Sequence, residues 1–183
     1  HVVVNNAGIC RDRMFFSLSE QDWDDVMRVH LKGHFCISSH ACNHWRQQAK
    51  EGKTVSGRII NTSSGAGLQG AVGQSNYSAA KGGIASLTLV QAAELRRYNV
   101  TANALAPSAR TGMTENVFAD MMKKPTDGSF DRYDAANVAP LVVWLGSERS
   151  GHVTGRVFEV EGGRIAICDG WRSTTGVDRQ ARW

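Results

Sequence analysis

Tyr77 and Lys81 stand four residues apart, and Ser64 lies thirteen residues before the tyrosine. On a helix, a spacing of four puts two side chains on one face, one turn apart. A phenol beside an ammonium becomes a better proton donor and acceptor near neutrality, because the cation favours the ionised form of a group whose ordinary pKa is about 10. Ser64 closes the run Ile59-Ile60-Asn61-Thr62-Ser63-Ser64, where a strand would deliver its hydroxyl to the same cleft. Such a trio can move a proton on and off a carbonyl or an alcohol. The tyrosine–lysine pair alone is unspecific, since solvated helix starts carry it by chance. Its meaning depends on the elements that hold it.

Apolar or β-branched runs at residues 2–4, 58–61, 100–105 and 156–160 read as buried strands. Longer segments of helical period separate them, which predicts an α/β fold with a mostly parallel sheet. Ser19 reads as an N-cap with acidic residues in the following turn. Trp23, Val26, Met27, His30, Leu31 and His34 then recur at spacings of three and four, one stripe of a helix. Helical character resumes near residue 31 and runs to 48, and residues 51–57 read as a loop. The next helix follows Tyr77 and runs to about Arg97. It is apolar on more than one face, so one side is expected to cover the sheet and the other to meet another subunit. Ala80, Gly82, Gly83 and Ala85 permit close backbone approach, and Gly65-Ala66-Gly67-Leu68-Gln69-Gly70 reads as a loop. Met113, Val117, Phe118, Met121 and Met122 form a short apolar face before Pro125 and Gly128, expected as a mobile helical flap over a pocket. Asn5-Asn6-Ala7-Gly8, Ser64 and the turn at Pro107 all fall at the carboxyl ends of successive strands, where open α/β sheets bind ligands.

The 183 residues are 42% hydrophobic and 21% charged, with 21 basic against 17 acidic side chains. The net charge of +4 is small and scattered, which argues against nucleic acid and suits an anionic small ligand such as a dinucleotide or a CoA ester. No apolar run approaches the roughly 20 residues of a membrane span. Cys10, Cys36, Cys42 and Cys168 have no Cys-x-x-Cys spacing and read as reduced thiols of a cytoplasmic protein. His30/His34 and His40/His44 are helical pairs without a third ligand in register, so no metal is expected: the first pair reads as core, the second as surface. Arg96 and Arg97 complement a helix C-terminus. The polar tail from Asp169 to Trp183 is read equally as an ordinary surface or as part of an interface or substrate mouth.

Taken in order, Asn5-Asn6-Ala7-Gly8, Ser64, Tyr77, Lys81, Ala106-Pro107 and the terminal Gly155-Arg-Val-Phe-Glu-Val-Glu-Gly-Gly163 resemble the short-chain dehydrogenase/reductase family over nearly the whole chain. Val29-His30-Leu31-Lys32-Gly33, Gly73-Gln74-Ser75-Asn76-Tyr77 and Val138-Ala139-Pro140-Leu141 are similar to one subgroup. That subgroup is the (3R)-hydroxyacyl-CoA dehydrogenases of peroxisomal multifunctional enzymes, or 17β-hydroxysteroid dehydrogenases type 4, with actinobacterial homologues nearest. The resemblance implies a Rossmann-like doubly wound parallel sheet and hydride exchange between a secondary alcohol and NAD or NADP. It implies a catalytic set of Ser64, Tyr77, Lys81 and His30, with Tyr77 as general acid/base, Lys81 on the nicotinamide ribose and Ser64 on the substrate oxygen. It implies a structural role for His30, at the position whose backbone carbonyl serves the lysine. Gln74 would join Ser64 and Tyr77 at the substrate. Asn6, Ala7, Gly8, Val29 and Thr62, with Tyr77, Lys81, Pro107, Ser108, Ala109 and Thr111, would line the cofactor.

Two positions depart from the family. His30 replaces the usual asparagine, whose backbone carbonyl helps hold a water near the lysine; the subgroup shares this histidine. Ser108 stands where many members have glycine, in a turn that reaches Thr111 early. The family's opening strand and glycine-rich phosphate turn do not precede Asn5. Residues 1–183 are therefore expected to be one N-terminally incomplete domain, lacking roughly 80 residues at about 30 per βαβ step. The substrate implied is a 3-hydroxyacyl-CoA or a steroid, in a homodimer or homotetramer. The rivals are a 3-oxoacyl carrier-protein reductase using NADPH and a non-catalytic dinucleotide-binding or scaffold protein.

Overall fold

The computed structural model describes residues 1–114, 120, 122–176 and 179. Val117, Phe118 and Met121, expected on the flap, lie outside the described residues, as does Trp183 in the tail. Strand β1 (Val2–Asn5) leads to helix α1 (Glu20–Met27), capped by the Ser19 side chain on the Asp22 N–H. A π-helical turn (Arg28–Lys32) joins α1 to α2 (Gly33–Lys50), so the two helical segments read from sequence form one interrupted rod. Strand β2 (Gly57–Thr62) follows, then α3 (Gly65–Gln69), α4 (Ser75–Leu95), β3 (Val100–Ser108) and α5 (Ala139–Gly146). The chain closes with β4 (Val157–Glu161) and β5 (Arg164–Cys168).

The five strands lie in the order β1-β2-β3-β4-β5, parallel throughout except for β4 against β5. Helices α2 and α4 cover one face, with Trp45, Ile59, Ala92, Val100 and Ala102 in its core. Helix α5 covers the other, over Ile60, Leu105, Phe158 and Val160. This is the expected doubly wound α/β arrangement. Ile59 and Ile60 point to opposite faces and are 0% and 1% exposed, each contributing about 1.5–3 kcal/mol by burial.

Two elements differ from the sequence expectation. Residues 65–69, read as a loop, are a one-turn helix that Ser64 caps through the Ala66 N–H. β5 was not anticipated. It returns through the turn at Gly162 (φ +55°) as an antiparallel edge strand whose Ile165 and Ile167 remain more than half exposed, so it lacks the signature of a buried run.

A buried polar line crosses the α2–β1–β2–α4 layer. Asn5 donates to Ser38 Oγ and Asn61 Oδ1, and Asn61 donates to Thr88 Oγ1 and Gln91 Oε1, each at 2.9 Å. These amides have partners because an unpaired buried polar group costs about 1–3 kcal/mol. They fix the register of β1 on β2, whose carboxyl ends carry the site.

Candidate active site

Helix α3 presses backbone-to-backbone on α4. A Cβ on Gly67 would sit 2.6 Å from the Gly82 nitrogen and from the Lys81 carbonyl carbon. The small residues noted in the sequence thus serve a close approach, and its consequence is to bring Ser64, at the start of α3, beside Tyr77 in the first turn of α4. Ser63 reinforces the contact by donating to the Lys81 carbonyl at 2.8 Å. Asn76, fully buried, accepts from the Tyr77 N–H at 2.7 Å and donates to the Arg11 and Asp22 carbonyls. It anchors the helix start to the loop after β1. Sequence reading passed over Asn76; an asparagine at a helix start, just before the tyrosine, was the available signal.

Tyr77 and Lys81 share one face of α4, and the Lys81 Nζ lies 5.5 Å from the Tyr77 ring centroid. The ammonium donates to the Thr62 carbonyl at 2.7 Å. Burial pulls its pKa down to about 8. Burial also pushes the Tyr77 phenol up, opposed by its hydrogen bond with Ser64. This corrects the expectation that Lys81 lowers the phenol. Desolvation by burial sets the direction, and what opposes it is the Ser64 hydrogen bond rather than the Lys81 cation. Cys10, read from the sequence only as a reduced thiol, and Asp12, not singled out there, push the phenol the same way.

The π turn presents His30 and His34 to the strand ends. His30 is fully buried and packs edge-on against Tyr77, with centroids 5.2 Å apart. Its Nε2 lies 2.7 Å from the Ile9 carbonyl and 3.0 Å from the Ile9 N–H, and a neutral ring serves one of these at a time. Its Nδ1 is buried without a hydrogen-bond partner among the described residues. Gly8 admits no side chain, because a Cβ there would meet His30 Cε1 at 2.7 Å. The His30 carbonyl accepts from His34 Nδ1 at 2.7 Å. His34 is likewise buried, while His40 and His44 are exposed.

Asn6 and Thr62 meet at the ends of β1 and β2, the Thr62 hydroxyl donating to Asn6 Oδ1 at 3.0 Å. With Val4, Leu105, Pro107, Val138, Ala139 and Val142 among their neighbours, they line a cavity of about 330 Å³. Apolar walls, an amide and a hydroxyl at the strand ends, and the Lys81 ammonium one carbonyl away fit the ring and ribose of a nicotinamide nucleotide. The other predicted cofactor residues surround this centre less closely. Ala7 is exposed, and Val29 is half-buried in the π turn. Ser108 ends β3 opposite Glu161. Ala109 is buried, and its carbonyl accepts from Thr114 Oγ1, which also accepts from the Thr111 N–H. Arg110 ties the same turn to Asp131. Gln74 directs its amide to Asp12 at 2.8 Å, bracing the loop after β1 at the entrance to α4.

The chain matches the short chain dehydrogenase family over residues 1–122. It is 48% identical over 168 residues to the hydroxyacyl-CoA dehydrogenase ChsB1 of Mycobacterium tuberculosis, covering 91% of this chain and 53% of that protein. It is 42% identical over 175 residues to the peroxisomal multifunctional enzyme type 2 of Mus musculus, covering 96% and 22% respectively. A crystal structure of a short chain dehydrogenase from Mycobacterium avium matches with a TM-score of 0.88 at 56% identity, over 100% of this chain and 58% of that one. The chain thus spans about half the length of these mycobacterial relatives. A family match over most of its length, on a Rossmann-like sheet that sets a tyrosine and a lysine on one helix face at the strand ends, makes this chain a member of the short-chain dehydrogenases.

Proposed function

We propose that the protein containing this chain is an NAD(P)-dependent oxidoreductase interconverting a secondary alcohol and a ketone. The observation that carries this reading is the convergence of Ser64, Tyr77 and Lys81 on one cleft, with the Lys81 ammonium on the Thr62 carbonyl at 2.7 Å. A bound nicotinamide supplies the hydride chemistry. The chain supplies the proton chemistry: Tyr77 Oη gives its proton to the carbonyl oxygen in reduction and takes one from the alcohol in oxidation. The Ser64 hydroxyl hydrogen-bonds the same oxygen as charge develops on it. Lys81 would hold the ribose, and Asn6 and Thr62, which line the cavity at the strand ends, would help hold the nicotinamide nucleotide. His30 supports Tyr77 by packing edge-on against its ring.

The substrate class we favour is a 3-hydroxyacyl-CoA, and what supports it is that the Mycobacterium tuberculosis relative is named a hydroxyacyl-CoA dehydrogenase. A steroid-type alcohol is the variant of the same reading. Phe35, Ile37, Leu89 and Val90 are each at least half exposed on α2 and α4, which supports a homodimer or homotetramer joined through those helices. Among the described residues no helix is long and apolar enough to cross a membrane. The free thiols support a cytoplasmic location.

Tyr77→Phe in the full-length protein tests the reading. Turnover of a 3-hydroxyacyl-CoA, followed by dinucleotide absorbance, should fall by about a hundredfold or more, the scale of a lost general acid/base. Unchanged turnover sinks the tyrosine mechanism, and a wild-type protein that turns over no alcohol returns the non-catalytic alternative.

A further inference from the structure

His34 is 2% exposed, and both its ring nitrogens meet backbone groups at the catalytic end of the sheet. Nδ1 lies 2.7 Å from the His30 carbonyl, which can only accept, so Nδ1 carries the ring proton. Nε2 then offers a lone pair, and the Thr62 N–H points at it from 3.3 Å. Burial holds the ring pKa at about 4, which keeps it in this neutral tautomer. Thr62 is gripped at two further atoms. Its carbonyl accepts from Lys81 Nζ at 2.7 Å, and its hydroxyl donates to Asn6 at 3.0 Å.

We infer that His34 is a positioning residue: it steadies the Thr62 strand end from which the Lys81 ammonium hangs, while closing the π-turn carbonyl behind the His30 ring that packs on Tyr77. A leucine would fill the same space, so packing alone does not call for a histidine. What leucine lacks is a donor for the His30 carbonyl and an acceptor for the Thr62 N–H. Sequence reading assigned His34 to the core; its spacing of four from His30 was the signal, but the π turn that aims both rings at backbone atoms was not readable. The inference rests on the oxidoreductase reading above.

Its test uses three variants of the full-length protein with a dinucleotide and a 3-hydroxyacyl-CoA. The asparagine amide nitrogen overlays the imidazole Nδ1, and the glutamine amide oxygen overlays Nε2. His34→Gln therefore retains the Thr62 contact, whereas His34→Asn retains only the His30 contact. His34→Leu should raise the dinucleotide KM and lower kcat, each by about tenfold for a lost buried hydrogen bond, while the acyl-CoA KM stays within about twofold. His34→Gln should recover most of that loss and His34→Asn little of it. Kinetics within about twofold of wild type for His34→Leu would overturn the role, as would equal losses in all three variants that follow their melting temperatures. If the leucine variant does not fold, the glutamine–asparagine pair decides: a lower dinucleotide KM in the glutamine variant supports positioning, and equal values refute it. Tyr77→Phe run alongside separates the two ideas. An active Tyr77→Phe removes the Ser64, Tyr77 and Lys81 mechanism on which the inference rests, whereas an inactive one beside silent His34 variants removes only this inference.

Discussion

Lys81 carries its charge in a place that disfavours it: burial pulls the ammonium from 10.5 to about 8. Between these values the unfolded chain binds the proton and the folded one does not, so stability rises with pH across the window. Below it the full penalty of burying the cation persists. Lys81→Met removes that penalty and keeps the volume of the stem. We expect the variant to be inactive yet to melt about 2–4 °C higher near neutral pH. Its advantage over wild type should shrink as pH rises from about 8 to 10.5. Calorimetry of both full-length proteins without dinucleotide checks this, and a variant less stable than wild type at pH 7 would refute it. The residue types and spacing of Tyr77 and Lys81 were legible in the chain. The direction of the tyrosine's shift was not, because it depends on how much water the fold strips from the phenol, which spacing does not encode.

At the scale of elements, the site depends on α3 and α4 touching through Gly67 and Gly82. Alanine at 67 would put a methyl 2.6 Å from α4 backbone, where no side chain can yield. The helices must part by a fraction of a turn's width, and Ser64 moves with α3 away from Tyr77. Gly67→Ala in the full-length protein should therefore fold and bind dinucleotide with little change but lose about tenfold to a hundredfold in kcat, since small misplacements of reacting groups are costly. Steady-state kinetics with a dinucleotide-binding titration checks the split, and unchanged kcat would show that the contact is slack. The glycine and alanine cluster in α4 was readable as a close approach, but its partner was not, because residues 65–69 lack the length and apolar stripe that announce a helix. The four parallel strands were legible as short apolar or β-branched runs. β2 and β3 are buried on both faces as such runs imply, whereas β1 leaves Val2 and Val4 about half exposed. β5 escaped because an antiparallel edge strand needs only one covered face.

Over the whole molecule, apolar surface gathers where the sheet stops. Among the described residues β1 pairs with β2 on one side only, and its Val2 and Val4 are 45% and 49% exposed. Val143 on α5, which lines a cavity with Val4, is 71% exposed. An unpaired parallel edge offers free N–H and C=O groups as a template for another strand, and neighbouring apolar side chains strengthen that pairing. The cavity at the ends of β1, β2 and β3, proposed above for the dinucleotide, opens beside this same edge, with Val4 and Asn6 in its wall. Pairing of the edge with a second copy would thus compete with ordered binding of the nucleotide. We expect the 183-residue chain, produced by itself, to self-associate and to bind NAD or NADP weakly, even though Ser64, Tyr77 and Lys81 are all present. Light scattering over a concentration series and a dinucleotide titration test both halves together. A monodisperse monomer that binds dinucleotide as tightly as the full-length protein would mean that the β1 edge protects itself and that the cofactor's main contacts lie on the helices and strand ends described above. Association that lysine at Val2 and Val4 suppresses would place the interaction on β1, because a charged edge resists pairing whereas the apolar faces of α2 and α4 would be untouched by the change.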